Sequence, residues 1–466
     1  MFTRLRQLVA LCCAGLVLVF PSIRTHAAPA TAAQPNVILI LVDDMGATDL
    51  GTYGSKFYQT PSIDRLAARG MKFTQAYSAC TVCSPTRASL LTGQYPARLH
   101  ITDWIEGHKR PFAKLSPPDW RMQLPPDEMN LAKAFKSAGY ATISIGKWHL
   151  GPTNCFPVQA GFDENIGGYN RGQPPSYFAP YKIPTMTEGP QGEYLTDREA
   201  AEASKFIARH REQRFFLYLP HYAVHTPIQS KSNVVARYRA RLERGGPQTN
   251  AAYAALVESV DDSLGRIVAA LEEAGLSEKT AIIFTSDNGG LLPVTSNLGL
   301  RAGKGSAYEG GVRVPLIVHW PGLTKPGSSN NTPVITADFY PTLLELAGLR
   351  DQPGHVVDGE SLAPLLRQTG GLKRDAIFWH YPHYHPGGAT PYSAVREGDW
   401  KLVRFHETGR GELYNLKNDP KEQRDIAGES PAKVAALEAR LTTWLKQTGA
   451  QMPVPNVRHD PARDRK

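Results

Sequence analysis

Short apolar runs alternate with amphipathic segments along most of the chain. From Tyr253 to Leu271, apolar residues recur every three or four positions, which predicts one buried helix face. Thr196, followed three positions later by Glu199, predicts a capping box that opens a helix toward Arg211. The apolar runs have the composition of buried strands and cover residues 36–42, 141–145, 215–219, 281–285 and 314–318. This alternation predicts an α/β fold with a large, mostly parallel sheet flanked by helices on both faces.

The C-terminal part of the chain follows a different pattern. Residues 399–404 and 412–416 have the composition of short strands around a Gly-rich turn, and a helix is predicted from Pro431 to just before Gly449. We therefore expect a small C-terminal α+β subdomain, built from an antiparallel sheet and a terminal helix. The charged, Pro-rich residues after Pro453 are expected to fray.

The first 27 residues have the pattern of a secretory signal peptide. Arg4 and Arg6 precede an apolar run at 8–20, and small residues around Ala27 mark a cleavage point. This pattern predicts an exported protein, periplasmic or secreted. An uncleaved membrane anchor is the alternative, although the run is short for a span, and no later stretch predicts a stable membrane span.

The overall charge of the chain is mildly basic. Of its 466 residues, 41% are apolar and 20% are charged, which is ordinary for a globular protein. The formal net charge of +9 becomes +6 (9 − 3) when Arg4, Arg6 and Arg24 leave with the signal. Such a charge attracts anionic substrates, although it can equally serve solubility. The sequence has no compact basic block with interleaved aromatic residues, so we expect no nucleic-acid partner.

Three cysteines remain after the predicted signal: Cys80, Cys83 and Cys155. This odd number argues against a disulfide framework. Cys80 and Cys83 form a Cys-x-x-Cys pair, which also occurs in redox and zinc sites, but no further zinc ligands lie nearby in the sequence. A disulfide between Cys80 and Cys155 that leaves Cys83 free is a further alternative.

Reactive side chains follow several of the predicted strands. In chain order they are Asp43 and Asp44, Lys147 and His149, His221 and His225, and Asp287 and Asn288. Because the carboxyl ends of parallel strands meet at one edge of a sheet, we expect these side chains to lie close together. The three aspartates and Asn288 offer hard oxygen ligands, which suit Ca²⁺ or Mg²⁺ rather than zinc. His221 is interpreted as a structural histidine.

Cys83 is predicted to lie at the start of a helix. Pro85 suits the first turn of this helix, and Gly93 suits its end. The free N–H groups at the helix start favour an anion beside Cys83. Arg87, one turn later, can direct its guanidinium group to the same place. From these residues alone, a buried structural cysteine remains the alternative.

Six segments carry recognisable motifs in a fixed order. They cover residues 36–46, 83–93, 146–151, 224–227, 285–289, and 301–304 with 308–315. These segments resemble the motifs of formylglycine-dependent type I sulfatases, which are arylsulfatase-like members of the alkaline phosphatase superfamily. The resemblance extends over nearly all of the mature chain. We expect residues 28–350 to form the catalytic domain of this family and residues 351–466 to form the C-terminal subdomain, and the Gly/Pro-rich composition of 352–359 predicts the junction between them.

The resemblance implies hydrolysis of sulfate monoesters, with a sulfated sugar or polysaccharide as the substrate. It implies that a maturation enzyme oxidises Cys83 to formylglycine, whose hydrate attacks sulfur. The implied catalytic residues are Cys83, Arg87, Lys147, His149, His225 and Lys304. His225 or Lys304 would protonate the leaving alcohol, and His149 would help the second hydroxyl lose its proton. Lys147, His225 and Lys304 would also bind the sulfate group, and the implied Ca²⁺ ligands are Asp43, Asp44, residue 83, Asp287 and Asn288.

The segment 379–385 is unusually rich in aromatic residues and histidine for a connecting loop. His380, His383 and His385 are interpreted as a substrate-binding wall contributed by the C-terminal subdomain, with a packed aromatic hinge as the alternative. The Asp103-Trp104 pair and residues 173–177 are further candidates for the pocket mouth.

Other functions remain open from the sequence. A phosphonate or phosphate ester hydrolase of the same superfamily would share the motif around Cys83. A catalytically silent glycan-binding protein would be expected to lack nucleophile or metal residues, and none of these is missing. A redox protein would depend on Cys80 together with Cys83.

Overall fold

The computed structural model describes residues 34–244 and 246–464. The predicted signal peptide at 1–27 lies outside these residues. Within the described chain, no helix combines the length and the apolarity that crossing a bilayer requires.

Strands and helices alternate along the described chain. The strands are β1 Asn36–Val42, β2 Met71–Tyr77, β3 Leu115–Ser116, β4 Ala141–Ile145, β5 Glu164–Ile166, β6 Phe215–Pro220, β7 Thr280–Ser286, β8 Arg313–His319, β9 Ser328–Asn330, β10 Val334–Ile335, β11 Ala376–Tyr381, β12 Tyr392–Glu397, β13 Trp400–Phe405, β14 Gly411–Asn415 and β15 Val454–Pro455. The α-helices are α1 Pro61–Arg69, α2 Cys83–Thr92, α3 Pro96–Leu99, α4 Leu131–Ser137, α5 Leu195–Arg209, α6 Ser232–Arg239, α7 Ala251–Glu273, α8 Glu309–Val312, α9 Phe339–Leu346, α10 Ala363–Leu366 and α11 Pro431–Gln447. Short 3₁₀ helices cover Gly51–Tyr53, Thr153–Cys155, Ser277–Lys279, Thr336–Asp338 and Ala427–Glu429.

Nine strands form the central sheet in the order β10-β2-β8-β7-β1-β6-β4-β5, with β9 also paired to β2. β1 lies in the interior of the sheet, parallel to both β6 and β7. Of the nine described strands, β8 alone runs against its neighbours, since it is antiparallel to both β7 and β2. The predicted mostly parallel α/β sheet is therefore confirmed, and the predicted strand at 314–318 is its antiparallel member.

Helices cover both faces of the central sheet. Every residue of β1 is buried, and alternate residues enter different cores. Ile38 and Ile40 pack with residues of α1, α5 and α7, whereas Leu39 and Leu41 pack with residues of α2, α4 and α9. A strand between two apolar layers has no polar side, which explains its continuous apolar sequence.

The start of α5 differs from the predicted capping box. The helix begins at Leu195, after the N-cap residue Tyr194, and has no side-chain cap. Thr196 lies inside the first turn. The carboxylate of Glu199 lies 2.6 Å from His221 Nδ1, so it interacts with the loop after β6 rather than with the helix start. A buried partner therefore takes precedence over the local capping interaction.

The C-terminal segment forms a separate antiparallel sheet in the order β11-β12-β13-β14. Helix α11 packs against β12 and β13, which confirms the predicted sheet and terminal helix. The expected fraying after Pro453 is wrong for the described residues, because β15 pairs with β3. An ion pair of 2.6 Å between Arg110 and Asp464 also holds this tail.

A buried ionic cluster joins the C-terminal sheet to the central sheet. Lys401 Nζ on β13 lies 2.9 Å from a carboxylate oxygen of Glu309 on α8 and 2.9 Å from one of Glu422. The hydroxyl of Tyr77, at the end of β2, donates to Glu309 over 2.7 Å. These groups are almost fully buried, so Lys401 is the close positive partner of two carboxylates that water does not reach, and Arg313 lies 3.8 Å from Glu309.

Lys401→Ala is expected to lower the free energy of unfolding by about 3–5 kcal/mol, because buried Glu422 then loses its positive partner and buried Glu309 retains only the more distant Arg313 as an ion-pair partner. Urea denaturation followed by far-UV circular dichroism measures this change. Lys417→Ala removes an exposed lysine after β14 and serves as the matched control, with an expected change within about 0.5 kcal/mol. A loss of less than about 1 kcal/mol for Lys401→Ala would contradict the role given to this cluster.

Candidate functional site

The ends of β1 and β7 bring four oxygen-bearing side chains together. Asp43 and Asp44 follow β1, and Asp287 and Asn288 follow β7, its parallel neighbour. The backbone N–H of Asp44 donates to Asp287 Oδ1 over 3.1 Å, and Asn288 Nδ2 donates to Asp44 Oδ1 over 2.8 Å. Asp44 has a φ of 61°, in the left-handed region that aspartate tolerates better than most residues. All four side chains are buried at one edge of the sheet.

Helix α2 brings Cys83 to the same edge. The helix begins at Cys83 and ends at Gly93, which has a φ of 75°, as its sequence predicts. Ligand atoms of Asp43, Asp44, Cys83 and His225 all lie within 4.8 Å of one another. The predicted nucleophile and the predicted aspartates are therefore neighbours, although they lie about forty residues apart in the chain. His225, which the sequence assigns to the substrate, also belongs to this group.

Three buried cations balance the three carboxylates. Lys147 Nζ lies 2.6 Å from Asp43, Arg87 lies 2.8 Å from Asp287, and Lys304 Nζ lies 2.8 Å from Asp44. Lys304 Nζ is also 3.4 Å from Cys83 Sγ. These cations come from α2, from the loop after β4 and from the loop before α8, so the ion pairs hold separate segments around Cys83.

Burial and charge shift the pKa values of the groups in this cluster. Burial raises the pKa of Asp43, and the positive charge of Lys147 opposes the shift. Burial alone would also raise the pKa of Asp44, but Lys304 and then His225 hold it well below its usual range. Burial, reinforced by Lys304, lowers the pKa of His225 to about 3. This imidazole is therefore neutral near pH 7.

His149 lies on the wall of the cleft in a second buried position. Its Nε2 makes a short contact with the carbonyl oxygen of Ile105, and its own carbonyl accepts a hydrogen bond of 2.8 Å from Ser84. Burial, followed by the charge of Lys147, lowers the pKa of His149 well below its usual value. Its Nδ1 is buried and has no hydrogen-bond partner among the described residues.

The donor set at the strand ends fits a hard divalent cation. Asn288 Oδ1 and Asp43 Oδ1 are buried and have no hydrogen-bond partner within the described chain. Arg87 lies 3.5 Å from Asp43 Oδ1, which is an ion-pair distance rather than a hydrogen bond. Buried oxygen atoms left in this state are costly unless a cation or a polar group meets them. Carboxylate and amide oxygens are the ligands that Ca²⁺ and Mg²⁺ prefer.

A cleft of about 480 Å³ opens above Cys83. His149, His225 and Lys304 line it, as expected from the sequence, and so does His385. Arg87 and Lys147 lie beneath it, fully buried among the carboxylates. The sequence candidates Trp104 and Gln173 also line the cleft, together with Glu106, Asn170 and Arg171, which the sequence analysis did not select. These last three residues lie in loops, and no spacing or motif distinguishes them from other exposed polar residues.

The three C-terminal histidines His380, His383 and His385 lie in different environments. His385 lies in the cleft with its ring edge against Trp104, at a centroid distance of 5.3 Å. His380 does not line the cleft, and its ring nitrogens contact Ser393 Oγ at 2.8 Å and a backbone carbonyl oxygen at 2.9 Å. His383 also lies away from Cys83, with Nε2 2.8 Å from Thr102 Oγ1.

The three cysteines of the described chain are free and buried. The suggested disulfide between Cys80 and Cys155 is therefore wrong for this structure. Cys80 packs in the core beneath the C-terminal sheet, whereas Cys155 lies in a 3₁₀ turn beside Trp148.

Comparison with known proteins gives consistent matches to one family. Residues 35–349 match the family model described as Sulfatase, and residues 303–451 match one described as N-sulphoglucosamine sulphohydrolase, C-terminal. A sulfatase of Formosa agariphila is 33% identical over 90% of this chain and 90% of its own length. Human arylsulfatase A is 32% identical over 88% of this chain and 87% of its own length.

Comparison with solved structures also gives a match over most of the chain. A crystal structure of Ps i-CgsB in complex with k-i-k-neocarrahexaose is 31% identical to this chain, with a TM-score of 0.76. The match covers 88% of this chain and 93% of the solved one. Together with the family models and the relatives, it shows that the chain belongs to the sulfatase family of the alkaline phosphatase superfamily and is a sulfuric ester hydrolase.

Proposed function

We propose that the protein hydrolyses sulfate esters of a sulfated sugar or polysaccharide, with formylglycine made from Cys83 as the nucleophile and Ca²⁺ in the site. The observation that supports this most strongly is the position of Cys83. It lies among two carboxylates and an imidazole within 4.8 Å and has Lys304 3.4 Å away. A formylglycine hydrate here would offer one hydroxyl to attack sulfur and a second whose deprotonation releases the sulfate.

The oxygen donors Asp43, Asp44, Asp287 and Asn288, together with residue 83, would hold the cation. When bound, Ca²⁺ would supply positive charge that neutralises the sulfate and orients the nucleophile. We prefer Ca²⁺ to Mg²⁺ because three carboxylates and an amide oxygen meet at one edge of the sheet, whereas Mg²⁺ is usually bound through only one or two carboxylates.

The remaining residues have distinct roles in this proposal. Lys304 contacts both Asp44 and residue 83, so it can bind a sulfate oxygen between them. Lys304 or His225 would also donate the proton that the leaving alcohol needs. His149 lies in the cleft wall, and its imidazole would accept the proton of the second hydroxyl. Arg87 and Lys147 are fully buried, and they orient the carboxylates and residue 83 as charge-assisted partners.

Two features support a saccharide as the alcohol part of the ester. The cleft of about 480 Å³ is larger than a sulfate group needs, and Trp104 and several polar side chains line its walls. The similar Ps i-CgsB structure contains a neocarrahexaose. We also propose, from residues 1–27, that the protein is exported to the periplasm or secreted, after a maturation enzyme has acted on Cys83.

After removal of residues 1–27, the matured protein is expected to have a mass about 18 Da lower than the same chain with cysteine at position 83, because an aldehyde replaces the thiol group. Cys83→Ala is expected to reduce turnover of 4-nitrophenyl sulfate by at least about a thousandfold, since the nucleophile is lost. Intact-protein mass spectrometry and a chromogenic assay measure these changes. Cys80→Ala is the matched control and should largely retain activity.

Equal turnover by a protein whose Cys83 thiol is intact would contradict the proposed nucleophile. Loss of activity in Cys80→Ala, with residue 83 still modified, would instead favour a redox role for the cysteine pair.

Removal of divalent metal with a chelator is expected to abolish turnover, and Ca²⁺ should restore it more fully than Mg²⁺. Asn288→Ala is expected to weaken Ca²⁺ binding at least about tenfold, because one buried oxygen donor is lost. Calorimetric titration with Ca²⁺ measures the affinity independently of turnover. Asn170→Ala, at the exposed mouth of the cleft, is the matched control and should leave the affinity unchanged. Unchanged affinity in Asn288→Ala would exclude this side chain as a ligand.

The protein is expected to have a higher kcat/KM for 4-nitrophenyl sulfate than for 4-nitrophenyl phosphate or a phenyl phosphonate ester. Each of the three buried cations already has a carboxylate partner, so the surplus positive charge comes from the proposed Ca²⁺, and the single charge of a sulfate ester is easier to accommodate beside the buried carboxylates than a phosphate dianion. Parallel steady-state kinetics on the three esters measures this preference. Faster turnover of either phosphorus ester would favour the phosphonate or phosphate hydrolase alternative.

A further inference from the structure

A second cavity adjoins the cleft above Cys83. It has a volume of about 320 Å³, and we call it the basic cavity because Lys109, Arg110 and Arg458 line it together with Trp120 and His383. Both cavities include Glu106 and Gly107 in their walls. They are therefore adjacent parts of one groove, and their junction is formed by these two residues.

The basic cavity contains more unpaired positive charge than negative charge. Lys109 and Arg458 are exposed, and neither side chain has an acidic partner among the described residues. Arg110 is paired with Asp464 over 2.6 Å. On the acidic side, Glu106 is exposed at the junction, whereas Asp103 is buried.

The protonation state of Asp103 increases the excess of positive charge in the basic cavity. Its Oδ1 accepts hydrogen bonds from the Tyr381 hydroxyl and from the Trp104 backbone N–H, both over 2.9 Å. Burial raises the pKa of Asp103 to about 8, so this carboxyl is largely protonated at neutral pH. The basic cavity therefore suits an anionic group of a ligand.

The two cavities also share an aromatic arrangement. In the cleft, Trp104 lies edge-on to His385 at 5.3 Å and 76°. In the basic cavity, Trp120 lies edge-on to His383 at 5.5 Å and 72°. Each tryptophan is partly exposed and has cationic side chains nearby, a combination that suits a sugar ring with an anionic substituent.

Gly107 leaves the junction between the cavities free of a side chain. Its φ is 83°, which glycine adopts without strain, and a Cβ atom here would lie 2.9 Å from the Trp120 ring.

The C-terminal tail forms a further wall of the basic cavity, through Asn456 and Arg458. Asn456 Nδ2 donates to the carbonyl oxygens of Pro111 and Ala113 over 3.1 and 2.8 Å, and this fixes the backbone that carries Arg458.

We propose that the basic cavity binds a second anionic group of the substrate, so that the preferred substrate is an oligosaccharide with at least two anionic groups. One sulfate ester lies over residue 83, and a sulfate or carboxylate on a neighbouring sugar unit lies between Lys109 and Arg458. This inference rests on the proposed sulfatase function and specifies its substrate class.

The test compares Lys109→Ala/Arg458→Ala with Lys417→Ala/Arg350→Ala. The control pair removes the same charge from exposed positions outside both cavities. The probes are dextran sulfate oligosaccharides, polygalacturonate oligosaccharides and neutral dextran, used as competitors of 4-nitrophenyl sulfate. The aryl ester is too small to span both cavities, so the measured quantity is the competitor's Ki divided by the KM of this ester.

In the Lys109/Arg458 variant, this ratio should rise about tenfold for dextran sulfate, since two charged contacts are lost. The control variant should show less than about a twofold rise. A similar rise with polygalacturonate indicates that a carboxylate also fits the basic cavity, and a rise with dextran sulfate alone indicates a sulfate. Equal ratios in the two variants, or an equal effect on neutral dextran, would overturn the inference.

Calorimetric titration of the same oligosaccharides gives a readout that does not depend on turnover. If the protein fails to hydrolyse any sulfate ester but the Lys109/Arg458 variant still binds dextran sulfate about tenfold more weakly, the proposed function fails and the anion-binding cavity stands. If hydrolysis proceeds and binding is unchanged, only the basic cavity is excluded.

Discussion

Three carboxylates are buried at one edge of the central sheet, and each requires a positive partner in a place that water does not reach. Lys147, Arg87 and Lys304 meet this requirement for Asp43, Asp287 and Asp44. Breaking a buried pair is strongly destabilising because it leaves one charge uncompensated. The ion pairs therefore hold α2, the loop after β4 and the loop before α8 against the edge of the sheet.

The C-terminal sheet depends on the same kind of constraint. Lys401 stands between Glu309 and Glu422, and Glu309 begins the short helix α8 that follows the Lys304 loop. The position of Lys304 beside Cys83 is thus connected, through a few residues of chain, to the attachment of the second sheet. His385 lines the cleft above Cys83, and Asn456 and Arg458 of the tail beyond β15 line the basic cavity, so the C-terminal segment contributes to both cavities.

Much of the fold could be predicted from the sequence, because continuous apolar runs are typical of strands buried on both faces. The residues after those strands were also informative, since parallel strands direct their carboxyl ends to one edge. The direction of β8 could not be predicted in this way, because an apolar run has the same composition in either orientation. The capping interaction assigned to Thr196 and Glu199 failed because local spacing carries no information about His221, a distant partner.

The C-terminal histidines show a second limit of the sequence. His380, His383 and His385 lie in one short segment, yet only His385 reaches the cleft above Cys83. Strand alternation and the bend after β11 separate their environments, and composition alone does not distinguish them. Arg171 and Lys109 were overlooked for the opposite reason, since isolated basic residues in loops are common and gain meaning only from the cavities they line.

Helix α2 has no side that faces water, since all ten of its residues are buried. Three of its four hydroxyl groups donate to backbone carbonyls: Ser84 to that of His149, Thr86 to that of Cys80, and Thr92 to that of Ala88, whereas the buried Ser89 Oγ has no partner in the described chain. Burial therefore constrains the polar and the apolar positions of this helix alike, and we expect no position that tolerates substitution freely. A substitution at any of these ten positions is therefore expected to disturb packing or a hydrogen bond next to Cys83.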